Sequence, residues 1–410
     1  MSYRTLKAVF HIKDRVAADA EEAARRTSPA AVTWDFSIGD HAMFCLITPE
    51  IAVLIERVMS LESTIRGQWS ALPGVARAHY LESMIIEEIQ ATNEIEAVHS
   101  SRQEISEALD ALRDDDTVGT RRFKEMVRLY SSLGDETVTG PENLDDIRSI
   151  YDSVTAGEVR DEDAPDGERF RTGPVTITSG QKAVHSGVVP ESAINAGLTT
   201  MLEQSRDDEI PQLVRAVVAH FIFENVHPFY DGNGRTGRYL LALYLSNDLT
   251  LPTVLSLSRT IAENKNEYYK AFTEAEDKLN SGELTFFVYT ILGLIERAQE
   301  SLIEELGVKI DQLDKATVLR DELRREHALS TNATLLLYAV MQEELFDTTK
   351  SMTLEDAGGD LMLTKQTIRK YVDELAGASL IEFTGRRPLR FRASGALRTR
   401  IQAKREWGME

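Results

Sequence analysis

Helical periodicity dominates this chain, and strict apolar/polar alternation is confined to a few short stretches. Alternation over 32–46 (VTWDFSIGDHAMFCL) predicts one or two strands inside a small mixed α/β segment, residues 1–50. From Thr48 the pattern turns helical, because Thr48-Pro49-Glu50 joins a capping residue, a proline and an acid at a helix start. Pro73-Gly74 breaks that helix. The next covers roughly 75–93 and ends near Glu94–Glu96, and two more cover roughly 101–112 and 119–133. Residues 135–190 are polar and rich in Gly, Asp and Pro, which predicts mostly loop. Val175-Thr176-Ile177-Thr178 interrupts it as a strand or a two-stranded flap. Residues 213–226 (LVRAVVAHFIFENV) are almost wholly apolar, predicting a buried helix; the loop HPFYDGNG follows, and 235–245 is helical again.

Helices continue over 261–275 and 283–306, and a charged helical run over 309–327 reads as a connector. Three further helices are predicted at 331–344, 353–358 and 364–376. Leu380-Ile381-Glu382-Phe383, a Gly-Arg-Arg-Pro turn and Leu389-Arg390-Phe391-Arg392 then predict a hairpin. Helix, helix, helix and hairpin is the order of a winged helix-turn-helix.

Composition changes this picture in two places. The net charge of −21 argues against nucleic-acid binding by the surface as a whole, yet residues 364–410 carry 11 basic against 5 acidic residues. A basic tail on an acidic body points to two separate tasks, and Lys365, Gln366, Arg369 and Lys370, with Arg386, Arg387, Arg390 and Arg392 on the wing, would face a DNA groove. A protein-interaction role for the same module stays open. Cys45 is the only cysteine, which excludes an internal disulfide and a cysteine-based zinc site. No apolar run approaches the roughly 20 residues of a membrane span, and MSYRTLKAVFHIKDR lacks the form of a secretory signal. No membrane association and a cytoplasmic location are therefore expected. The amphipathic helices of the acidic body would also suit a homodimer.

The densest chemistry lies in His227–Arg238, HPFYDGNGRTGR. Two glycines flank Asn233, so the backbone can take up conformations closed to other residues and approach a ligand closely. Successive amides opening a helix form an anion site, and Arg235 and Arg238 lie three apart on its first turn. Two arginines and an amide nest fit a polyphosphate better than one carboxylate. Asp231 beside phosphates requires a cation between them and reads as a Mg²⁺ ligand. His227, at the end of the buried helix, could take a proton from a hydroxyl attacking phosphorus. Gly232-x-Gly234-x-x-Gly237 also matches a dinucleotide fingerprint, but that motif follows a strand and this one follows a helix. A purely structural turn, and a retained motif in a silent protein, are the blander alternatives.

The same twelve residues resemble, without departure, the signature HPFx[DE]GNGRxxR of the Fic family. Ala219-His220, Phe223-Glu224, Leu257-Ser258-Arg259 and Asn266-Glu267-Tyr268-Tyr269 resemble its flanking helices. The resemblance covers roughly 48–306. It implies a mainly α fold: a Fic-type helical bundle with a small β-hairpin flap, here joined to the C-terminal winged helix-turn-helix domain. The implied organisation is a helical region at 51–135, a catalytic core at 136–306, a helical linker at 307–330 and the winged module at 331–410. The implied activity is transfer of AMP from ATP to a Ser, Thr or Tyr hydroxyl of a target protein or of the chain itself. His227 would be the base and Asp231 would hold Mg²⁺. Gly232, Asn233, Gly234, Arg235, Thr236 and Gly237 would bind nucleotide, with Arg238 at the γ-phosphate. Tyr268 or Tyr269 would neighbour the adenine. Val175, Thr176, Ile177 and Thr178 would dock the target by strand addition. Other cargo, removal of AMP, or a nucleotide-sensing DNA-binding regulator are the alternatives.

Thr92-Asn93-Glu94-Ile95-Glu96-Ala97 further resembles the family's inhibitory motif [ST]xxxE[GN]. Carried over, Glu96 would pair with Arg238 and keep the γ-phosphate from seating. Ala97 stands where Gly or Asn is expected, which bears on the geometry of that helix end.

Overall fold

The computed structural model describes residues 3–113, 122–135, 137–179, 182–346 and 351–406. These are mainly α-helical, with three small antiparallel sheets. The chain divides into two compact units, Met1–Ser63 with Ile85–Glu300 and Thr64–Met84 with Ser301–Glu410. No described helix is long and apolar enough to cross a membrane.

In the first unit, α1 (Leu6–Ile12) and α2 (Arg15–Arg26) precede the predicted strands, capped by Thr5 and Asp14. Both are short and lie within the mixed α/β segment expected at 1–50, whose helices the sequence did not delimit. β1 (Ala31–Ile38) and β2 (His41–Leu46) form the expected hairpin, paired from Ala31↔Leu46 to Ile38↔His41 with a shift of register between Thr33 and Ser37. α3 (Pro49–Ala71) and α4 (Gly74–Ile95) follow, broken apart at Pro73 as the sequence predicts, with Thr64–Met84, the end of one and the start of the other, belonging to the second unit. α5 (Arg102–Arg113) and α6 (Lys124–Ser132) come next; the start expected at 119 lies outside the described residues.

The segment read as loop contains α7 (Leu144–Val154), whose Asn143 forms a capping box with Asp146 and whose Ile147, Tyr151 and Val154 are buried. β3 (Thr176–Ser179) pairs antiparallel with β4 (Lys182–Ser186), so the alternating stretch is the two-stranded flap. α8 (Glu191–Gln204), α9 (Gln212–Val226) and α10 (Asn233–Leu245) build the core around the site. An apolar helix with no polar face belongs in an interior, and α9 is buried along nearly its whole length. α11 (Leu251–Val254), α12 (Leu257–Glu263) and α13 (Lys265–Ala275) complete the layer.

α14 runs unbroken over 42 residues, Thr285–Glu326, where the sequence predicted a helix and a separate connector. Only Gly307 lies at the expected joint, and a lone glycine weakens a helix without ending it. In the second unit, α15 (Thr331–Phe346) is buried on most positions. It is followed by β5 (Met352–Thr353), α16 (Leu354–Leu361), α17 (Lys365–Gly377), β6 (Ile381–Arg386), β7 (Leu389–Ala393) and α18 (Gly395–Glu406). The strands form one sheet in the order β5-β7-β6. Ile368, Val372 and Leu375 form the buried side of α17, and Thr364 caps its start by accepting from the Thr367 amide.

Candidate active site

α9 ends at His227, whose amide donates to Phe223 O and whose φ of 51° is left-handed. A non-glycine residue there costs about 1 kcal/mol and persists only where the surroundings enforce it. Pro228 prevents the helix from continuing. His227 Nδ1 lies 3.3 Å from Glu224 O. A carbonyl only accepts, so Nδ1 carries the proton in this contact and Nε2 is the basic nitrogen.

The chain then turns through Phe229, which is fully buried and stacks on Tyr151 with ring centroids 3.6 Å apart. Asn233 locks the turn: its Oδ1 accepts from the Phe229 amide at 2.9 Å and its Nδ2 donates to Phe229 O at 2.7 Å. Gly232, at φ 81°, supplies the left-handed step into α10, and a side chain there would also strike Thr155. The first amide bonded within α10 is that of Thr236, to Gly232 O, so the amides of Asn233, Gly234 and Arg235 open the helix without helical acceptors. Those groups and the helix dipole make an anion-binding end.

Asp231 is exposed at this mouth, with Oδ1 accepting from the Gly232 amide at 2.7 Å. No cluster of three metal-ligating side chains exists among the described residues. One carboxylate with an uncommitted oxygen fits Mg²⁺ shared with nucleotide phosphates, since that ion usually takes few protein ligands.

The two arginines do not share one open space. Arg235 is 1% exposed and pairs with Glu158, which also accepts from Arg122 Nε at 3.0 Å. Arg122 in turn donates to His99 O and Glu104. Arg238 is 2% exposed and meets Glu96 Oε1 at 2.9 Å; its Nε and Nη2 donate to Thr92 Oγ1 and Thr92 O at 2.8 and 3.0 Å. Burial is the largest single influence and works against the charge on Arg238, but Glu96 and, more weakly, Tyr268, Glu224 and Tyr269 together outweigh it and hold the guanidinium above its ordinary pKa. Gly234 permits this contact, because a side chain there would collide with the Glu96 carboxylate.

The end of α4 explains what Ala97 does. The Val98 amide donates to Asn93 O and the Ala97 amide to Glu94 O, a Schellman closure with Glu96 as the cap residue. Ala97 therefore occupies the position that favours glycine or asparagine, and it adopts φ 56° nonetheless. Lys265 donates to Ile95 O, placing a cation at the negative end of the same helix.

Of the remaining predicted residues, Thr236 is buried and donates to Gly232 O, and Gly237 O meets His220 Nδ1 at 3.0 Å. Tyr268 is buried with its hydroxyl 2.8 Å from His220 Nε2, whereas Tyr269 is 40% exposed. Val175 and Thr176 lie at the root of the flap, where Gly187 donates to Val175 O. Side chains at 177 and 178 lie outside the described residues. Sequence reasoning missed Glu158, Arg122, Lys265 and Arg171. Each acts on a partner dozens of residues away, and none carries a local signal.

These features define a class: an α-helical protein whose helix–turn–helix junction gathers an imidazole, a carboxylate, helix-start amides and two arginines already met by carboxylates of the same chain. Residues 141–245, which contain the junction, match the model of the Fic/DOC family. The chain is 30% identical over 149 residues to the protein adenylyltransferase fic-1 of Caenorhabditis briggsae, covering 36% of this chain and 26% of that protein. To its namesake in Caenorhabditis elegans it is 29% identical over 178 residues, covering 42% and 30%. The chain thus spans between about a quarter and a third of the length of these curated relatives. Among solved structures, a Fic family protein from Desulfovibrio desulfuricans G20 aligns with a TM-score of 0.49 at 21% identity, covering 85% of this chain and 97% of that one.

Proposed function

We propose that this protein is a protein adenylyltransferase, moving AMP from ATP to a Ser, Thr or Tyr hydroxyl of a target protein or of itself, and restrained by Glu96 on Arg238. The observation that carries the reading is the single junction His227–Arg238, where the basic Nε2, three helix-start amides and an exposed carboxylate meet within one turn. The adenylyltransferase names of its relatives support the same chemistry at family level.

In the proposed reaction His227 Nε2 takes the proton of the attacking hydroxyl as its oxygen bonds to the α-phosphorus. The bond from that phosphorus to the oxygen bridging it to the β-phosphate breaks, and pyrophosphate leaves. The amides of Asn233, Gly234 and Arg235 receive phosphate oxygens, and Asp231 would hold the Mg²⁺ that neutralises their charge. Glu96 restrains the reaction because an arginine satisfied by a carboxylate is unavailable, and that carboxylate repels a phosphate.

Incubation with Mg²⁺ and ATP labelled on its α-phosphate tests the assignment. The Glu96→Gly chain should become labelled, and His227→Ala in that background should lose the label while still binding ATP. Labelling that survives His227→Ala would refute the base. Consumption of another nucleotide, or clearance of a pre-adenylylated target, would redirect the reading to other cargo or to removal of AMP.

For the C-terminal unit a second reading, as a winged helix on duplex DNA, is favoured by one face of α17. Lys365, Gln366, Arg369 and Lys370 are exposed there, as are Arg386, Arg387 and Arg390 on the hairpin. Two of the predicted cations are paired within the chain, Lys365 with Glu355 and Arg392 with Glu382, each at 2.7 Å. Affinity for a DNA duplex that falls steeply with salt would support this reading; none in a filter-binding titration would end it.

A further inference from the structure

Arg171 is a fully buried cation that no carboxylate neutralises among the described residues. Its guanidinium donates only to backbone carbonyls: Nε to His227 O at 2.8 Å, Nη1 to Gly173 O at 2.6 Å, and Nη2 to Val188 O at 2.8 Å and Val226 O at 3.3 Å. Two of these acceptors form the end of α9 at the histidine. The other two are the legs on which the β3–β4 flap stands. The Arg171 amide adds a bond to Pro228 O, and the Val188 amide donates to Val226 O at 3.0 Å.

We infer that Arg171 is a positioning residue that fastens both roots of the flap to the backbone of His227, so that one side chain sets the target strand and the base relative to each other. The inference rests on reading His227 as the base. Its physical grounds are independent of that reading. A buried polar group must be satisfied, and four acceptors at fixed angles match the planar fork of an arginine. The acceptors at the end of α9 also carry the negative end of the helix dipole, which the guanidinium complements. His227 sits in a left-handed conformation that needs external support, and the bond to its own carbonyl supplies it. A second tie runs in parallel: Tyr230 Oη accepts from the Gly173 amide at 2.9 Å and donates to Asp166 at 3.0 Å.

Lysine keeps the charge but offers three donors from one point, so it cannot span both flap roots and the turn. In the Glu96→Gly background, Arg171→Lys should lower the single-turnover rate of AMP incorporation by about tenfold to a hundredfold while ATP affinity stays within about twofold. The two are compared well below the melting temperature of either chain. A rate within about twofold of the parent in a folded Arg171→Lys chain would overturn the inference. If the Glu96→Gly parent itself forms no adduct, the proposed function fails, and Arg171 is judged by amide exchange in the unmutated chain. The same measurement serves if Arg171→Lys does not fold. The amides of Arg171, Val188 and His227 should then exchange as one protected unit; Val188 exchanging more than about a hundredfold faster than His227 would overturn the coupling.

Discussion

Arg235 and Arg238 lie one helical turn apart, are equally buried, and each meets a carboxylate of the same chain, yet the two pairs are built to opposite ends. Glu158 has a side chain only 8% exposed and is clamped from its other side by Arg122. Glu96 is 31% exposed, at a helix end closed by an alanine in a left-handed conformation. If Glu158 left, the buried Arg235 guanidinium would lose the carboxylate that neutralises it. If Glu96 leaves, Arg238 still keeps both bonds to Thr92. On the proposed reading, the same ion-pair chemistry makes a fixture at one arginine and a releasable latch at the other. The deciding factors are whether the carboxylate already faces water and whether the buried guanidinium keeps other hydrogen bonds when it leaves.

That contrast can be broken most strongly at the fixture. Glu158→Ala should cost about 3 kcal/mol of stability in a denaturant titration, because it leaves Arg235 buried and unpaired. It should not release transfer. A Glu158→Ala chain of unchanged stability and raised transfer would make Glu158 a second latch.

The latch helix carries another carboxyl, Glu88, fully buried two turns before Glu96. Burial pushes it up to about 7, against the opposing pull of its bonds to Ser258 and of Arg238 and Arg259. A folded-state value above the unfolded 4.5 means its contribution to stability is full below pH 4.5 and is lost as pH rises to about 7. Glu88→Gln removes this titration, so the variant should gain stability relative to the parent across that window. A difference independent of pH in thermal melts would show that Glu88 does not titrate there.

The smallest expected effect lies at the joint of the latch. Ala97→Gly relieves the left-handed strain and should stabilise the chain by roughly 0.5–1 kcal/mol, net of the flexibility glycine adds to the unfolded state. A firmer helix end should also lower basal AMP incorporation. Unchanged melting together with raised incorporation would mean that Ala97 does not support Glu96.

How much of this was legible in the sequence follows from the range of the interactions. HPFYDGNGRTGR was readable because its chemistry and its unusual backbone conformations occupy consecutive positions. The helix ends at Pro73 and Thr364 were readable for the same reason. α7 carried its own signals, the Asn143–Asp146 box and the spacing of Ile147, Tyr151 and Val154, but they were outvoted by the surrounding Gly, Asp and Pro. α14 was split in two because the charges after Gly307 mimic a connector, although helical bonding runs through them. Glu158 and Arg171 were invisible for a different reason. Their partners lie 77 and 56 residues away, and one polar residue in a loop-like segment has no periodicity to betray it.

The central claim is that the Glu96–Arg238 contact restrains an AMP-transferring site. Intact-mass measurement of the unmutated and Glu96→Gly chains, each incubated with Mg²⁺ and ATP, tests it most directly. The account predicts a mass gain equal to AMP in Glu96→Gly, at least about tenfold more abundant than in the unmutated chain, a difference of about 1.4 kcal/mol in the barrier. Equal incorporation in the two chains would contradict the restraint, and no adduct in either would contradict the reaction itself.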